Sequence, residues 1–435
     1  MRLTFYVFLV FYCCLPFLSV AIPDSSGLKR QYDFSQTTIG LAFEAHSSGS
    51  TSFIRSDGTK ERVSFAPQAF PRFSIGGTHF WGRACFYFSM PFSSLLDRQK
   101  GELVYHFNQN DMLGARYFTR PLENRRLSPF VGLSIVHTDY WQSNVTTGQG
   151  GAEVMMFSVP LQAGAYYTTG RSLIELSARF NYQNKFNYYI DRNEQAEVEI
   201  PKLTLTVGYR WMEDLTRRRN KQYYDTSFQH AFAASLQTNR RLSALMMSIG
   251  LNTSFFTGRQ ASADMPWLGR FVSSAMFPEL GIGYYVHSAR AHINAFYRQY
   301  KTRQSGYGAA KKYSGQSALL EVHRYLFNYH GFAAFAGVNA GFEKWELQKN
   351  MDGVVNDHKK ESFVPGVVFG WDILPERSRY LVVRTNIRYF PSMNWGLPNE
   401  KLSLDQLEFN LIQLSFYPER FVHKRRFMKQ YTTML

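Results

Sequence analysis

His137 and Asp139, followed by Ser143, are the nearest this sequence comes to a nucleophilic site. A histidine held by a carboxylate beside a hydroxyl is the minimum for acyl transfer. His137 shares its parity with Val131, Leu133 and Ile135, which places it on an apolar, lipid-facing strand surface near a rim. Tyr140 and Trp141 stand beside it, so an interfacial aromatic girdle accounts for the same residues without chemistry. A second group consists of Arg116, Glu175, Arg179 and Arg210, with Arg384 and Arg388 later in the chain, all on the polar parity of their segments. Charges in such positions must be paired or wet, so they suit either a salt-bridged plug around Glu175 or the basic lining of a water-filled lumen. Arg384 and Arg388 have few evident counter-charges, which favours water and anion passage there. The 11 histidines are scattered without ligand spacing. Asp352-Gly353 to Asp357-His358 lacks the alternating oxygens of a calcium loop. No phosphate loop or dinucleotide fingerprint occurs, so no cofactor and no enzyme activity is expected.

The elements that carry these residues have a two-residue period. Ile174, Leu176, Ala178, Phe180 and Tyr182 alternate with Glu175, Ser177, Arg179 and Asn181, and Leu203 to Trp211 repeats the pattern. One apolar face and one polar face result. In a soluble sandwich the apolar face points into a core; in a membrane barrel it points to lipid and the interior is polar. Connection lengths decide between them. Strands near 36–46, 70–79, 84–92, 102–119, 128–139, 155–167, 172–186 and 201–212 are joined by long and short connections in alternation. Strands near 243–256, 277–286, 291–301, 314–327, 332–345, 362–374, 380–391 and 405–417 keep the same rhythm, with polar loops such as 348–361. Short turns at one end and long loops at the other are the arrangement of an outer-membrane barrel, short side periplasmic.

The two sets of strands match in order. Ile39-Gly40-Leu41 recurs as Ile249-Gly250-Leu251, Phe70-Pro71 as Phe277-Pro278, Arg116-Tyr117 as Arg324-Tyr325, and Arg179-Phe180 as Arg388-Tyr389. Ordered pairs at nearly one offset imply a tandem duplication. Met1-Arg2, the apolar stretch 3–18 and Ser19-Val20-Ala21 have the layout of a cleaved secretory leader. The expected organisation is a signal peptide over 1–21, a barrel unit over 22–212, a basic periplasmic linker over 213–242, a second unit over 243–421 and a basic tail over 422–435. Without the leader only Cys85 remains, so no internal disulfide is expected. No later run reaches the roughly twenty apolar residues of a spanning helix, yet 17% of the chain is aromatic, with 38 Phe and 27 Tyr. The formal charge of +16 does not point to nucleic acid in an exported chain. The basic runs flank the strands as solvated segments or as contacts to anionic headgroups.

The stretch from Pro71 to Gly82, Gly114-Ala115-Arg116-Tyr117-Phe118 and Ser128-Pro129-Phe130-Val131-Gly132 resembles the eight-stranded outer-membrane β-barrel proteins common in Bacteroidota-type bacteria. The architecture is similar to the membrane domain of outer membrane protein A. The resemblance implies an all-β transmembrane barrel in the outer membrane, with lipids and the assembly machinery as partners. It says little about activity. Such barrels commonly end on an aromatic in the last strand; here Phe416-Tyr417 closes the strand but the chain runs on, which moves that signal inward or to Phe421. Sixteen strands make either two small barrels or one large one. The long connection 213–242 favours two, each closing on itself, whereas a single sixteen-strand porin would pass small solutes. A structural, binding or permeability role follows, with the porin and a lipid-modifying enzyme as alternatives.

Overall fold

The computed structural model describes residues 34–65, 67–92, 98–214, 226–239, 241–257, 265–268, 271–274, 276–329, 331–374, 380–394 and 403–434. The expected leader 1–21 and the short turn at 375–379 lie outside the described residues. The chain divides into two compact units.

In the first unit eight strands form a ring: β1 (Ser35–His46), β2 (Gln68–His79), β3 (Ala84–Pro91), β4 (Leu103–Phe118), β5 (Arg126–Asn144), β6 (Leu161–Thr169), β7 (Ser172–Phe180) and β8 (Leu203–Asp214). Each pairs antiparallel with the next, and β1 pairs with β8 to close the ring. In the second unit β9 (Ala244–Thr257), β10 (Phe277–Val286), β11 (Ala291–Gly306), β12 (Ala309–Tyr325), β13 (Phe332–Met351), β14 (Val354–Ile373), β15 (Leu381–Asn394) and β16 (Ser403–Phe416) follow the same order. Here β9 pairs with both β10 and β16. A single sixteen-strand barrel would require pairing between the two sets; among the described strands each set closes on itself instead.

The alternation read from the sequence places apolar side chains outside. On β1, Ile39, Leu41 and Phe43 are exposed, while Ala42, Glu44 and His46 face inward. Leu41 lies opposite Tyr209 and Phe43 opposite Val207, so exposed apolar residues meet across neighbouring strands and form a continuous belt. In the second unit Ile249, Leu280, Ile282, Ile293, Leu320 and Val338 do the same.

Several connections expected as loops are strands. Residues 49–54 pair with 60–65, and 185–189 with 195–199. The four segments join into one small sheet at the loop end of the first barrel, over a core that includes Phe65, Tyr105, Tyr140, Tyr188 and Val198. The expected loop 348–361 is a continuation of β13 and β14 around Asp352-Gly353, whose φ values of 51° and 89° suit a two-residue turn matched to strand twist. The extension is hidden in the sequence because 348–361 is polar, although Trp345 and Leu347 just before it are buried on the inner face. On the outer face cross-strand ion pairs, Lys344 with Glu361 at 3.0 Å and Lys359 with Glu346 at 3.5 Å, stand where the belt has apolar residues. Conversely, the strand expected over 155–167 breaks at Val159-Pro160, since proline cannot donate to a ladder. The strand expected over 172–186 breaks where Asn181 Oδ1 accepts from the Gln183 amide at 3.2 Å.

Within the connection expected as a linker lies helix α1 (Thr226–Thr238), and β16 is followed by helix α2 (Pro418–Met434). Pro418 opens α2 with its φ already helical, and Glu419 stands at the favourable end of the helix dipole. Phe427 of α2 packs on Phe228 and Phe232 of α1 with ring centroids 5.6 and 5.8 Å apart, and Ser235 Oγ lies 2.9 Å from His423 Nε2.

Candidate functional site

The inward faces of both barrels carry charge. In the first barrel Glu175 of β7 is fully buried and accepts from four neighbours. Arg116 of β4 reaches it at 2.7 Å, Arg210 of β8 at 2.9 Å, Tyr166 of β6 at 2.8 Å and Ser177 at 2.8 Å. Arg116 also donates to Tyr166 and to Gln162 Oε1, and its guanidinium lies 4.2 Å over the Tyr87 ring. Gln162 Nε2 donates to Ser134 Oγ at 2.9 Å, and Ser134 Oγ to Asp111 Oδ1 at 2.9 Å, which leads to a second tier. There Arg72 and Arg179 bridge the same two carboxylates. Arg72 lies 3.0 Å from Glu44 and 3.1 Å from Asp111; Arg179 lies 3.2 Å from Glu44 and 2.8 Å from Asp111. Above and below, the apolar cores that include Tyr105 and Tyr140 at one end, and Phe118, Phe130 and Leu173 at the other, fill the ends of the barrel.

The second barrel centres on Arg388 of β15. It contacts Glu279 of β10 at 2.5 Å, Glu321 of β12 at 2.7 Å and Glu408 of β16 at 2.8 Å. Arg298 of β11 joins Glu408 to Glu343, the latter at 2.6 Å. Tyr300 and Ser317 each donate to Glu343 at 2.8 Å. Arg384 holds Asp372 in a two-point clasp at 2.7 and 2.8 Å, and Tyr325 donates to the same carboxylate at 2.5 Å. The expectation that Arg384 and Arg388 have few counter-charges is corrected: Asp372 pairs with Arg384, and Glu279, Glu321 and Glu408 with Arg388. These partners come from separate strands whose mutual register a single strand does not reveal. Their signal was local, since Glu321 alternates with exposed Leu320 and Val322, which marks it as inward. A further difference separates the barrels. Asn294, Asn386 and Gln413 of the second are almost wholly buried, yet their side-chain amides have no hydrogen-bond partner among the described residues.

The pair His137 and Asp139 stands elsewhere. Nε2 of His137 lies 2.8 Å from Asp139 Oδ1, but both residues are buried rather than lipid-facing, at 5% and 9% exposure. The reason lies in the next segment of the chain: residues 154–158 pair with β5, setting Phe157 opposite His137 with their rings stacked at 5.4 Å. Ser143 is six residues further along the same strand, about 20 Å away at about 3.3 Å per residue, so the three do not converge. Among the described residues no group of His, Cys, Asp and Glu is arranged to hold a metal ion.

No family model and no curated protein matches the sequence. Among solved structures, similarity is found to Neisserial surface protein A, at 11% identity over 40% of this chain and 98% of that one, TM-score 0.30. Outer membrane protein AlkL is similar at 12% identity over 46% of this chain and 99% of that one, TM-score 0.30. The Pseudomonas putida toluene transporter TodX is similar at 10% identity over 88% of this chain and 90% of that one, TM-score 0.16.

Proposed function

We propose that the chain is an integral outer-membrane protein of two tandem eight-strand barrels, each filled by its own side chains, with a structural or binding role and no catalysis. The carrying observation is the inversion of polarity: closed rings with exposed Leu, Ile, Val and Phe outside and hydrogen-bonded Arg and Glu inside. A protein in water would leave an exposed belt of this extent against solvent at high cost, whereas lipid removes that cost. Eight strands enclose an interior that side chains just fill, and the charge networks occupy it in both units. Membrane lipids and the outer-membrane assembly machinery are the partners this reading implies.

The test joins location to permeability. The whole chain should fractionate with outer membranes, shift its gel mobility on heating, and give no steady conductance in a planar bilayer. Recovery in a soluble fraction, or a large and steady pore, would overturn the reading.

A further inference from the structure

Arg324 lies on the outer face of β12, with exposed Val322 on one side of it and exposed Leu326 on the other. Its side chain makes no hydrogen bond or ion pair among the described residues. An arginine on a lipid-facing surface needs an anionic or aqueous partner at the edge of the hydrocarbon. Its place near the turn end of the strand shows where that edge falls.

Helix α2 begins at the same end. Leu414 of β16 is exposed in the belt, and the helix starts four residues later at Pro418. Phe421 packs on Tyr380 at 5.2 Å and on Phe416 at 5.5 Å, which ties the first turns of α2 to the barrel. Phe427 is taken up by α1, so the remaining face presents Val422, Arg425, Arg426, Met428 and Lys429 to the outside. Basic side chains predominate on this exposed face, with Val422 and Met428 among them, a composition suited to meeting an anionic membrane surface. The one acidic residue among the described residues of α2 is Glu419.

We infer that the turn-side rim of the second barrel, through Arg324, Arg425, Arg426 and Lys429, docks the phosphate groups of anionic phospholipids. The occupant is a headgroup rather than a soluble anion because Arg324 stands between exposed Val322 and Leu326, and exposed Val422 and Met428 accompany the basic residues of α2. The inference rests on the outer-membrane reading. A basic residue held at an anionic surface favours association roughly fivefold, and salt screens it.

The experiment uses the full chain reconstituted in phosphatidylcholine vesicles containing spin-labelled phosphatidylglycerol or spin-labelled phosphatidylcholine. The wild type should associate with phosphatidylglycerol several-fold more strongly than with phosphatidylcholine, and high salt should reduce the preference. The variant Arg324→Gln, Arg425→Gln, Arg426→Gln, Lys429→Gln should lose it while keeping its heat-dependent gel shift. Lys359→Gln with Lys360→Gln, at the other end of the barrel, should retain it. Failure of the wild type to insert into neutral vesicles would overturn the outer-membrane reading itself. Insertion with equal association constants, or a preference unchanged by the fourfold variant, would overturn this inference alone. A preference abolished by the Lys359 and Lys360 variant would place the headgroup contact at the opposite end and overturn it as well.

Discussion

Glu175 and Asn386 set the limits of what a buried polar residue contributes in these barrels. Removing Glu175 leaves Arg116 and Arg210 facing each other without an anion, in a place water reaches poorly. Breaking a buried ion pair in this way costs about 3–5 kcal/mol, so Glu175→Ala should lower the urea midpoint of the refolded protein strongly, read from the loss of the heat-dependent gel shift. Asn386 has no side-chain partner among the described residues, and exchanging an unbonded buried amide for an apolar group of similar shape is nearly neutral or stabilising. Asn386→Leu should therefore shift the same midpoint by less than about 1 kcal/mol; a loss as large as that of Glu175→Ala would show that the amide is held by bonds outside the protein. At this scale the sequence revealed orientation and concealed partnership. The two-residue period marked Arg116, Glu175, Arg179, Arg210, Arg384 and Arg388 as inward. That Arg388 meets Glu279, Glu321 and Glu408 depends on registers between strands far apart in the chain, which no local pattern encodes. His137 was misplaced for the same reason, because Phe157 covers it from a neighbouring strand.

The existence and order of the strands with an apolar face were legible, since one apolar face enforces alternation, while their ends were missed by several residues and 155–167 and 172–186 are each broken in two. Strands beyond the belt were not legible. The hairpin between β13 and β14 reads as a polar loop, although its Asp352-Gly353 pair is a turn signal of the right length. Gly353 sits at φ 89°, a conformation that costs a residue with a Cβ about 1 kcal/mol or more. Gly353→Val should loosen the hairpin tip, with faster amide exchange over 348–358 and unchanged exchange in the belt. The pairing of α1 with α2 gives a second prediction. Partial burial, then the charges of Arg241 and Arg426, hold the His423 imidazole below its ordinary range. A histidine whose folded value is depressed contributes stability that is present above its unfolded value, about 6.5, and is lost as pH falls toward the folded one. Amide protection of 226–238 should accordingly decline below about pH 6.5, and His423→Asn should flatten that dependence.

Each unit supplies all the strand partners of its own ring, so the two should be separable. A cut within 215–225 should give halves that each regain the heat-dependent gel shift when refolded in detergent, with neither conducting; halves that fold only when mixed would contradict self-closure. The matched segments that suggested two units do not all occupy equivalent faces: Arg116 is buried inside the first barrel, whereas Arg324 of the matching Arg-Tyr pair is exposed. Similarity of sequence thus did not align the interiors of the two rings. Closure has one more consequence. At the seam of the first barrel, Gln36 near the start of β1 lies opposite Asp214 at the end of β8, the same antiparallel relation that any hairpin of the ring has across its turn. The seam is therefore a place where a short connector could join the ends, and any existing turn could be opened to make new ones. Which strand comes first and which last is a property of the gene rather than of the cylinder, and circular permutants of this unit could present a different strand as the terminal one while retaining the same wall.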